Sequence, residues 1–345
     1  MTALGDEKFE QLYTDKKIKF FNPVQTQVFY TLFHTDSNVL IGAPTGSGKT
    51  IMSELAMLRV FKHTPKSKII YVAPLKALAK ERIIDWKKRL QNGPLGKVVL
   101  ELTGDITPDI KALQKADVLI TTPEKWDGIS RNWQHRSYVQ QVALVVIDEI
   151  HLLGQDRGPV IEVIVSRMRY IAEQTGNNIR FVGLSTALAN AKDVADWLGI
   201  HKLGLYNFKP SVRPVPIKVF FEGFSEKHYC PRMATMNKPT FKAIQTHSKD
   251  HPVLVFVSSR RQTRLTALDL IALCAADQQE KEGYDILEFK RPFLKMDPEE
   301  MHHISELIQD ENLRHTLNFG VGMHHAGLKE EDRKIVEDLF VKKKI

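Results

Sequence analysis

Along the first part of the chain, short runs of consecutive apolar residues rich in Val and Ile alternate with longer stretches whose apolar positions recur at helical spacing. The short runs fall at residues 38–41, 68–73, 118–121, 142–148 and 180–184. Uninterrupted apolar runs of this length predict strands buried on both faces. The stretches at 51–61, 75–90, 159–173 and 191–198 predict helices. Strand–helix alternation of this kind builds a parallel sheet with helices on both faces, an α/β fold. Ligands of such sheets bind beyond the carboxyl ends of the strands, and the chemistry-bearing segments of this chain all follow strand ends.

The alternation breaks at YNFKPSVRPVP, residues 206–216, where Pro210, Pro214 and Pro216 remove backbone donors and favour an extended path. This stretch is expected to be a linker. A second series of strands is predicted at 217–221, 253–258 and 320–323, with a polar, weakly periodic surface insertion at 278–298. The expected organisation is a lead-in over 1–17, a first domain over 18–205, the linker over 206–216 and a second domain over 217–345. A length of 345 residues agrees with about two domains.

Composition changes this picture little. A 43% hydrophobic share is ordinary for a globular protein. No run approaches the roughly 20 apolar residues of a membrane span, and the first residues lack the apolar run of a secretory signal, so no membrane partner is expected. Cys230 and Cys274 are spaced for neither a zinc knuckle nor a disulfide framework. Reduced thiols, and a nuclear or cytoplasmic setting, are the expectation. The net charge of +8 is compatible with a polyanionic partner. His324 and His325 have no further ligand at metal spacing, His302 and His303 belong to a separate polar helix, and all four are expected in packing and turn roles. Trp86, Trp126, Trp133 and Trp197 are expected to pack rather than stack on bases.

After the first strand comes APTGSGKT, residues 43–50, followed by a helix. Glycines at such a place let successive backbone N–H groups turn inward onto phosphate oxygens, and the helix adds its positive end. Ala43, Thr45, Gly46, Ser47 and Gly48 form the cradle, Lys49 would reach the β- and γ-phosphates, and the Thr50 hydroxyl would ligate Mg2+. The buried run at 142–147 then delivers DEIH, residues 148–151. Asp148 is placed to hold the metal and Glu149 to take a proton from an attacking water. His151 either links the nucleotide site to the second domain through a hydrogen bond or caps the turn.

Together these segments resemble DExH-box superfamily 2 helicases of the Ski-like, tandem-cassette group, whose phosphate loops often carry alanine where Ala43 stands. The resemblance covers nearly the whole chain. It implies a RecA-like ATP-binding domain followed by a second, here incomplete, RecA-like domain, with 3′-to-5′ movement along single-stranded DNA or RNA. FFNPVQTQ, residues 20–27, resembles the group's adenine-recognising segment, with Gln25 as the reader. APLKALAKER (73–82), LTGD (102–105) and TTPEKWD (121–127) resemble segments that line the nucleic-acid track. Pro74, Lys76, Thr103, Gly104, Thr122 and Pro123 are its expected contacts. VFVSSRRQTR (255–264) resembles a track-facing segment of the second domain, with Ser258 and Arg260 as contacts. STA, residues 185–187, stands where the group has Ser-Ala-Thr, so Ser185 and Thr186 are expected in coupling with the second hydroxyl displaced by one position. The spliceosomal tandem-cassette helicase shares the NPVQTQVF-like and PEKWD-like segments, whereas HYCPRM and HHAGL point elsewhere in the group.

The group's Gln-x-x-Gly-Arg-x-Gly-Arg element, whose arginines reach the γ-phosphate, does not occur within these residues. The chain as written is therefore expected to bind ATP weakly, to hydrolyse it poorly and to leave a sheet edge open in its second domain. Further subunits of a multi-protein complex, serving alkylation-damage repair or rescue of stalled ribosomes, are also implied by the resemblance alone. Two other functions compete with the ATP-driven helicase: a non-enzymatic nucleotide- or nucleic-acid-binding scaffold, and a phosphate-loop enzyme of another kind, such as a GTPase or a small-molecule kinase. Gln25 and the absence of an Asn-Lys-x-Asp segment favour adenine over guanine.

Overall fold

The structure, a computed structural model, describes residues 2–104, 106–248, 251–282 and 290–345. It divides into two compact units, Met1–Lys218 and Val219–Ile345.

The first unit is built on seven strands: β1 Val39–Gly42, β2 Lys68–Val72, β3 Val99–Leu102, β4 Val118–Thr121, β5 Val142–Ile147, β6 Arg180–Ser185 and β7 Leu205–Asn207. They form one sheet in the order β3-β4-β2-β5-β6-β1-β7, and every neighbouring pair is parallel. The helices of this unit are α1 Glu7–Thr14, α2 Pro23–His34, α3 Lys49–His63, α4 Lys76–Trp86, α5 Ile110–Lys115, α6 Pro123–Ser130, α7 Ser137–Gln140, α8 Gly158–Thr175 and α9 Ala191–Trp197. Two apolar cores lie on the two faces of the sheet: one gathers Val28, Leu32, Leu55, Leu58 and Trp86, the other Trp126, Ile164, Val165, Met168 and Leu198. Alternate residues of β5 divide between them, Leu144 and Val146 to the first, Val145 and Ile147 to the second, as the two-residue period of a strand requires. That double burial is why the strand runs are continuously apolar.

Two strands escaped the sequence pattern, and both are sheet edges. β3 pairs only with β4 and is buried only at its ends, so it reads as mixed. β7 is short, pairs only with β1, and takes Tyr206 and Asn207 out of the expected linker. The lead-in also belongs to the fold, since Phe9, Leu12 and Tyr13 of α1 enter the first core. Trp86 and Trp126 are fully buried, and Trp133 and Trp197 pack at the margin of the second core.

The second unit carries α10 Tyr229–His247, α11 Arg260–Glu282, α12 Pro298–Glu306, α13 Glu311–Leu317 and α14 Glu330–Val341. Residues 217–221, 253–258 and 320–323, expected as strands, form none, and among the described residues this unit has no strand. An apolar run decides whether a segment suits a strand, but a parallel ladder also needs neighbours in register, which is not a local property. Phe221 and Phe256 accordingly stand 93% and 88% exposed. Within the expected insertion, α11 extends through residue 282, and residues 283–289 lie outside the described residues, as does Asp105 of LTGD. Among the described residues no helix is long and apolar enough to cross a membrane.

Candidate functional site

Strand order sorts the motifs. The phosphate loop follows β1, STA ends β6 and runs past it, and DEIH follows β5, and these three strands are neighbours. APLKALAKER follows β2, TTPEKWD begins at the end of β4, and LTGD begins at the end of β3, which are the other three neighbours on that side.

At the end of β1, Gly42 stands in register with Ser185, and Ala43 N donates to Ser185 O at 3.0 Å. Gly46 and Gly48 both take φ +84°, a left-handed conformation that only glycine adopts without cost, so the loop curls before α3 begins at Lys49. Lys49 Nζ donates to Ala43 O at 3.0 Å, inside the curl. Thr45 is exposed at the rim. The Ser47 hydroxyl is buried and has no hydrogen-bond partner within the protein.

Gln25 sits beneath this loop. Asn22 and Gln25 form a capping box at the start of α2: Gln25 N donates to Asn22 Oδ1 and Asn22 N donates to Gln25 Oε1, both at 2.9 Å. The spare amide hydrogens reach the phosphate loop, Asn22 Nδ2 donating to Ser47 O at 2.9 Å and Gln25 Nε2 to Gly48 O at 3.3 Å. The expected adenine reader thus also braces the loop, and each end of its amide keeps one bonding position. Asn-Pro-x-Gln is legible in the sequence as a helix start, but nothing local marks Asn22 as a brace of the phosphate loop.

At the end of β5, Asp148 N donates to Val72 O at 3.0 Å. Its carboxylate accepts from Tyr71 Oη at 2.5 Å and from Glu149 N at 3.0 Å, so both oxygens are oriented. Burial, reinforced by the charge of Asp148, pushes the Tyr71 phenol well above its ordinary value and keeps it a donor. Glu149 holds φ +52°, an uncommon conformation for a side-chain-bearing residue, where the chain turns out of the strand into a short 3-10 turn. His151 Nδ1 lies 3.4 Å from Glu149 Oε2 and 3.3 Å from Ser185 Oγ, which joins DEIH to STA. Thr186 is half-buried just beyond. Thr50 Oγ1 accepts from Arg82 Nη1 of α4 at 3.2 Å, so the helix that follows APLK touches the expected metal ligand. Tyr71 and Arg82 carry no sequence signal of these roles, because only the parallel register brings β2 beside β5.

On the other half of the sheet, Lys76 and Lys125 converge on Gly104. Gly104 takes φ +50°, a side chain there would run into the Lys76 amine, and Lys125 Nζ donates to Gly104 O at 2.9 Å. Thr103 and Thr122 are buried, the Thr103 hydroxyl donating to Glu101, and Pro74 and Pro123 are buried beside them. Arg157 ties the segment after DEIH to this half, donating to Pro74 O and pairing with Glu124 at 3.2 Å. Of the expected contacts, Pro74, Thr103, Thr122 and Pro123 are therefore buried framework residues, Gly104 is half-buried and Lys76 is exposed, while the half-buried Lys125 was not expected there. In the second unit, Ser258 shares a hydrogen bond with Tyr229, and Arg260 opens α11 with its head exposed. His324 pairs with Glu337 at 2.7 Å and His325 accepts from Gly327 N, and no three-ligand metal cluster occurs among the described residues.

A glycine-curled loop running into a helix, joined to a strand-end Asp-Glu pair and a Ser–His link, defines a phosphate-loop domain of the DExH class. A model of the DEAD/DEAH box helicase family matches residues 22–194, and the chain belongs to that family. Over all 345 residues it is 61% identical to activating signal cointegrator 1 complex subunit 3 of Danio rerio, 60% to the Homo sapiens protein of that name, and 61% to the DExH-box ATP-dependent RNA helicase DExH14 of Arabidopsis thaliana. It spans 22%, 15% and 15% of those proteins. The fold is similar to that of the DUF1998 helicase MrfA, with a TM-score of 0.62 at 20% identity over 87% of this chain and 44% of that one. For the structure of MrfA bound to DNA and AMPPNP the TM-score is 0.62 at 19% identity, over 92% and 43%.

Proposed function

We propose that this chain forms the ATP-binding part of a nucleic-acid helicase that moves 3′-to-5′ on single-stranded DNA or RNA. The observation that carries the reading is the strand order: the triphosphate-handling motifs occupy the ends of β5, β6 and β1, and the candidate track segments occupy the adjoining β3, β4 and β2. Arg82 on Thr50 and Arg157 on Pro74 bridge the halves, so a change at one can bias the other.

The residues present fit Mg-ATP. The loop curls at Gly46 and Gly48 with the Lys49 amine inside the curl, a cradle of phosphate size, and with no three-ligand cluster among the described residues a metal would be held mainly through phosphates, as Mg2+ usually is. Thr50 and Asp148 would hold it, and it would neutralise charge on the phosphate oxygens. Lys49 binds the phosphate chain. Tyr71 keeps Asp148 oriented. Glu149 accepts the proton of the water that attacks the γ-phosphorus, forming a new P–O bond as the bond to the ADP oxygen breaks. His151 fixes the Glu149 carboxylate and passes its position to Ser185 at the end of β6. Lys76 and Lys125 suit sequence-blind contacts to backbone phosphates. The identity to a named complex subunit supports partner subunits of a cointegrator-type complex.

Lys49→Ala tests the site directly. ATP binding measured by titration calorimetry should fall by at least tenfold, while single-strand affinity in the absence of nucleotide changes by less than about twofold. Equal ATP affinity in the two proteins would sink the reading.

A further inference from the structure

The stretch expected as a linker passes over the phosphate loop. β7 pairs with β1 so that Gly42 and Asn207 are in register, and Phe208 N donates to Gly42 O at 2.7 Å. The Asn207 amide is fixed on both sides by Leu188, donating to its carbonyl at 2.7 Å and accepting from its N–H at 3.1 Å. The chain therefore leaves the sheet beside the point where β1 enters the loop. It makes one tight turn, Pro210–Val212, and reaches Arg213.

The Arg213 side chain is held in place. Nε donates to Val215 O at 2.8 Å, and the prolines at 214 and 216 restrict the backbone on which that acceptor sits. The guanidinium lies against Gly46 of the loop: a Cβ built on Gly46 would stand 3.6 Å from Nη2 and 3.7 Å from Cζ. Among the described residues no carboxylate pairs with Arg213, and the bond to Val215 is its only hydrogen bond from the side chain. Four of its five N–H donors are thus free. They join the Lys49 amine and the positive end of α3 around the same loop. A half-buried guanidinium with both terminal nitrogens unpaired, set beside a loop that already carries a lysine amine and a positive helix end, is a place where an anion completes the cluster.

We propose that Arg213 is a phosphate ligand of the nucleotide site, supplied by the segment after β7, and that it engages the phosphate chain of a nucleoside di- or triphosphate through Nη1 and Nη2. This rests on the ATP-site reading above. A planar fork that takes two phosphate oxygens at once suits arginine, and lysine at this place is a partial substitute only. Because Arg213 opens the stretch that runs to the boundary at Lys218, the same contact makes that stretch responsive to the bound phosphates.

The test uses the whole chain as wild type, Arg213→Ala, Arg213→Lys and Lys49→Ala, with ADP and inorganic pyrophosphate as ligands in titration calorimetry. A charge-assisted pair of hydrogen bonds is worth roughly ten- to a hundredfold in affinity. Arg213→Ala should weaken ADP and pyrophosphate by that factor together, and Arg213→Lys should fall between it and wild type. Melting followed by tryptophan fluorescence reports the fold of the first unit without nucleotide. A lowered melting temperature with unchanged ADP affinity assigns Arg213 a structural role and overturns the proposal, as does unchanged affinity with unchanged melting. Should wild type and Lys49→Ala alike fail to bind ADP, the nucleotide-site reading itself falls, and Arg213 with it.

Discussion

Replacing Arg89 with Met should destabilise the first unit more than almost any other single change outside its apolar core. Glu54 lies in the middle of α3, one turn beyond the phosphate loop, and is 2% exposed. Its carboxylate accepts from Trp86 Nε1 at 2.9 Å and from both terminal nitrogens of Arg89, of which Nη1 is at 3.3 Å. Arg89 also holds Asp85, donating from Nε at 3.0 Å and from Nη2 at 2.6 Å. Arg89→Met leaves the buried Glu54 carboxyl without its ion-pair partner, with the Trp86 indole still donating to it. Removing one partner of a buried ion pair costs about 3–5 kcal/mol. In a unit of this size each kcal/mol moves the melting temperature by roughly 2–4 °C, so a drop of about 6–20 °C is expected. The companion variant Glu54→Leu/Arg89→Met removes both charges and should recover most of the loss, because burying either charge was itself costly. Tryptophan fluorescence isolates the effect, since all 4 tryptophans, Trp86, Trp126, Trp133 and Trp197, lie in the first unit. A loss below about 1 kcal/mol in the single variant, or a double variant no more stable than the single, would refute the reasoning.

Two further outcomes follow from ionisable groups. Burial raises the Asp127 carboxyl, but hydrogen bonds from Arg131 and Arg167 outweigh it and hold the group below its ordinary value. A carboxylate depressed in the folded state contributes stability that is complete above the unfolded value near 4 and is lost as pH falls through the folded one. The stability gap between wild type and Asp127→Asn, read by urea unfolding, should therefore be constant above about pH 5 and close below pH 4, and an equal gap at pH 3 and pH 7 would contradict it. Burial pushes the Cys274 thiol up to about 12, whereas Cys230 is exposed. Since the thiolate is the reactive form, iodoacetamide should label Cys230 alone in the native chain and both cysteines after unfolding. Intact mass distinguishes the two, and double labelling of the native chain would count against the burial of Cys274.

How much of this was legible beforehand depended on whether the signal was local. The five central strands were read because burial on both faces makes them continuously apolar, and the edges β3 and β7 were missed because half-burial does not. APTGSGKT and DEIH were legible because phosphate chemistry needs glycines, a lysine and two acids at fixed spacing. Tyr71, Arg82 and Arg157 were not, because each acts on a residue far along the chain that only sheet register brings near. The same limit explains Arg213, which reads as a charge in a proline-rich stretch until β7 is paired with β1.

The order β3-β4-β2-β5-β6-β1-β7 has a mechanical consequence. β2 and β5 are the adjoining strands of the two halves, and the contacts between them are the ones that touch chemistry. Tyr71, on β2, holds Asp148, on the end of β5, and Asp148 N bonds Val72 O. Tyr71 in turn meets Trp86 of α4 edge to face, and α4 carries Arg82 to Thr50 and, through Trp86, reaches Glu54 on α3. The helix that begins at the candidate track residue Lys76 is thus fastened to the phosphate-loop helix at two places, and it reaches the carboxylate beyond β5 only through Tyr71. A strand that binds at Lys76 and displaces α4 should therefore perturb Thr50 through Arg82 and Asp148 through Tyr71, because close-packed interiors transmit strain rather than absorb it.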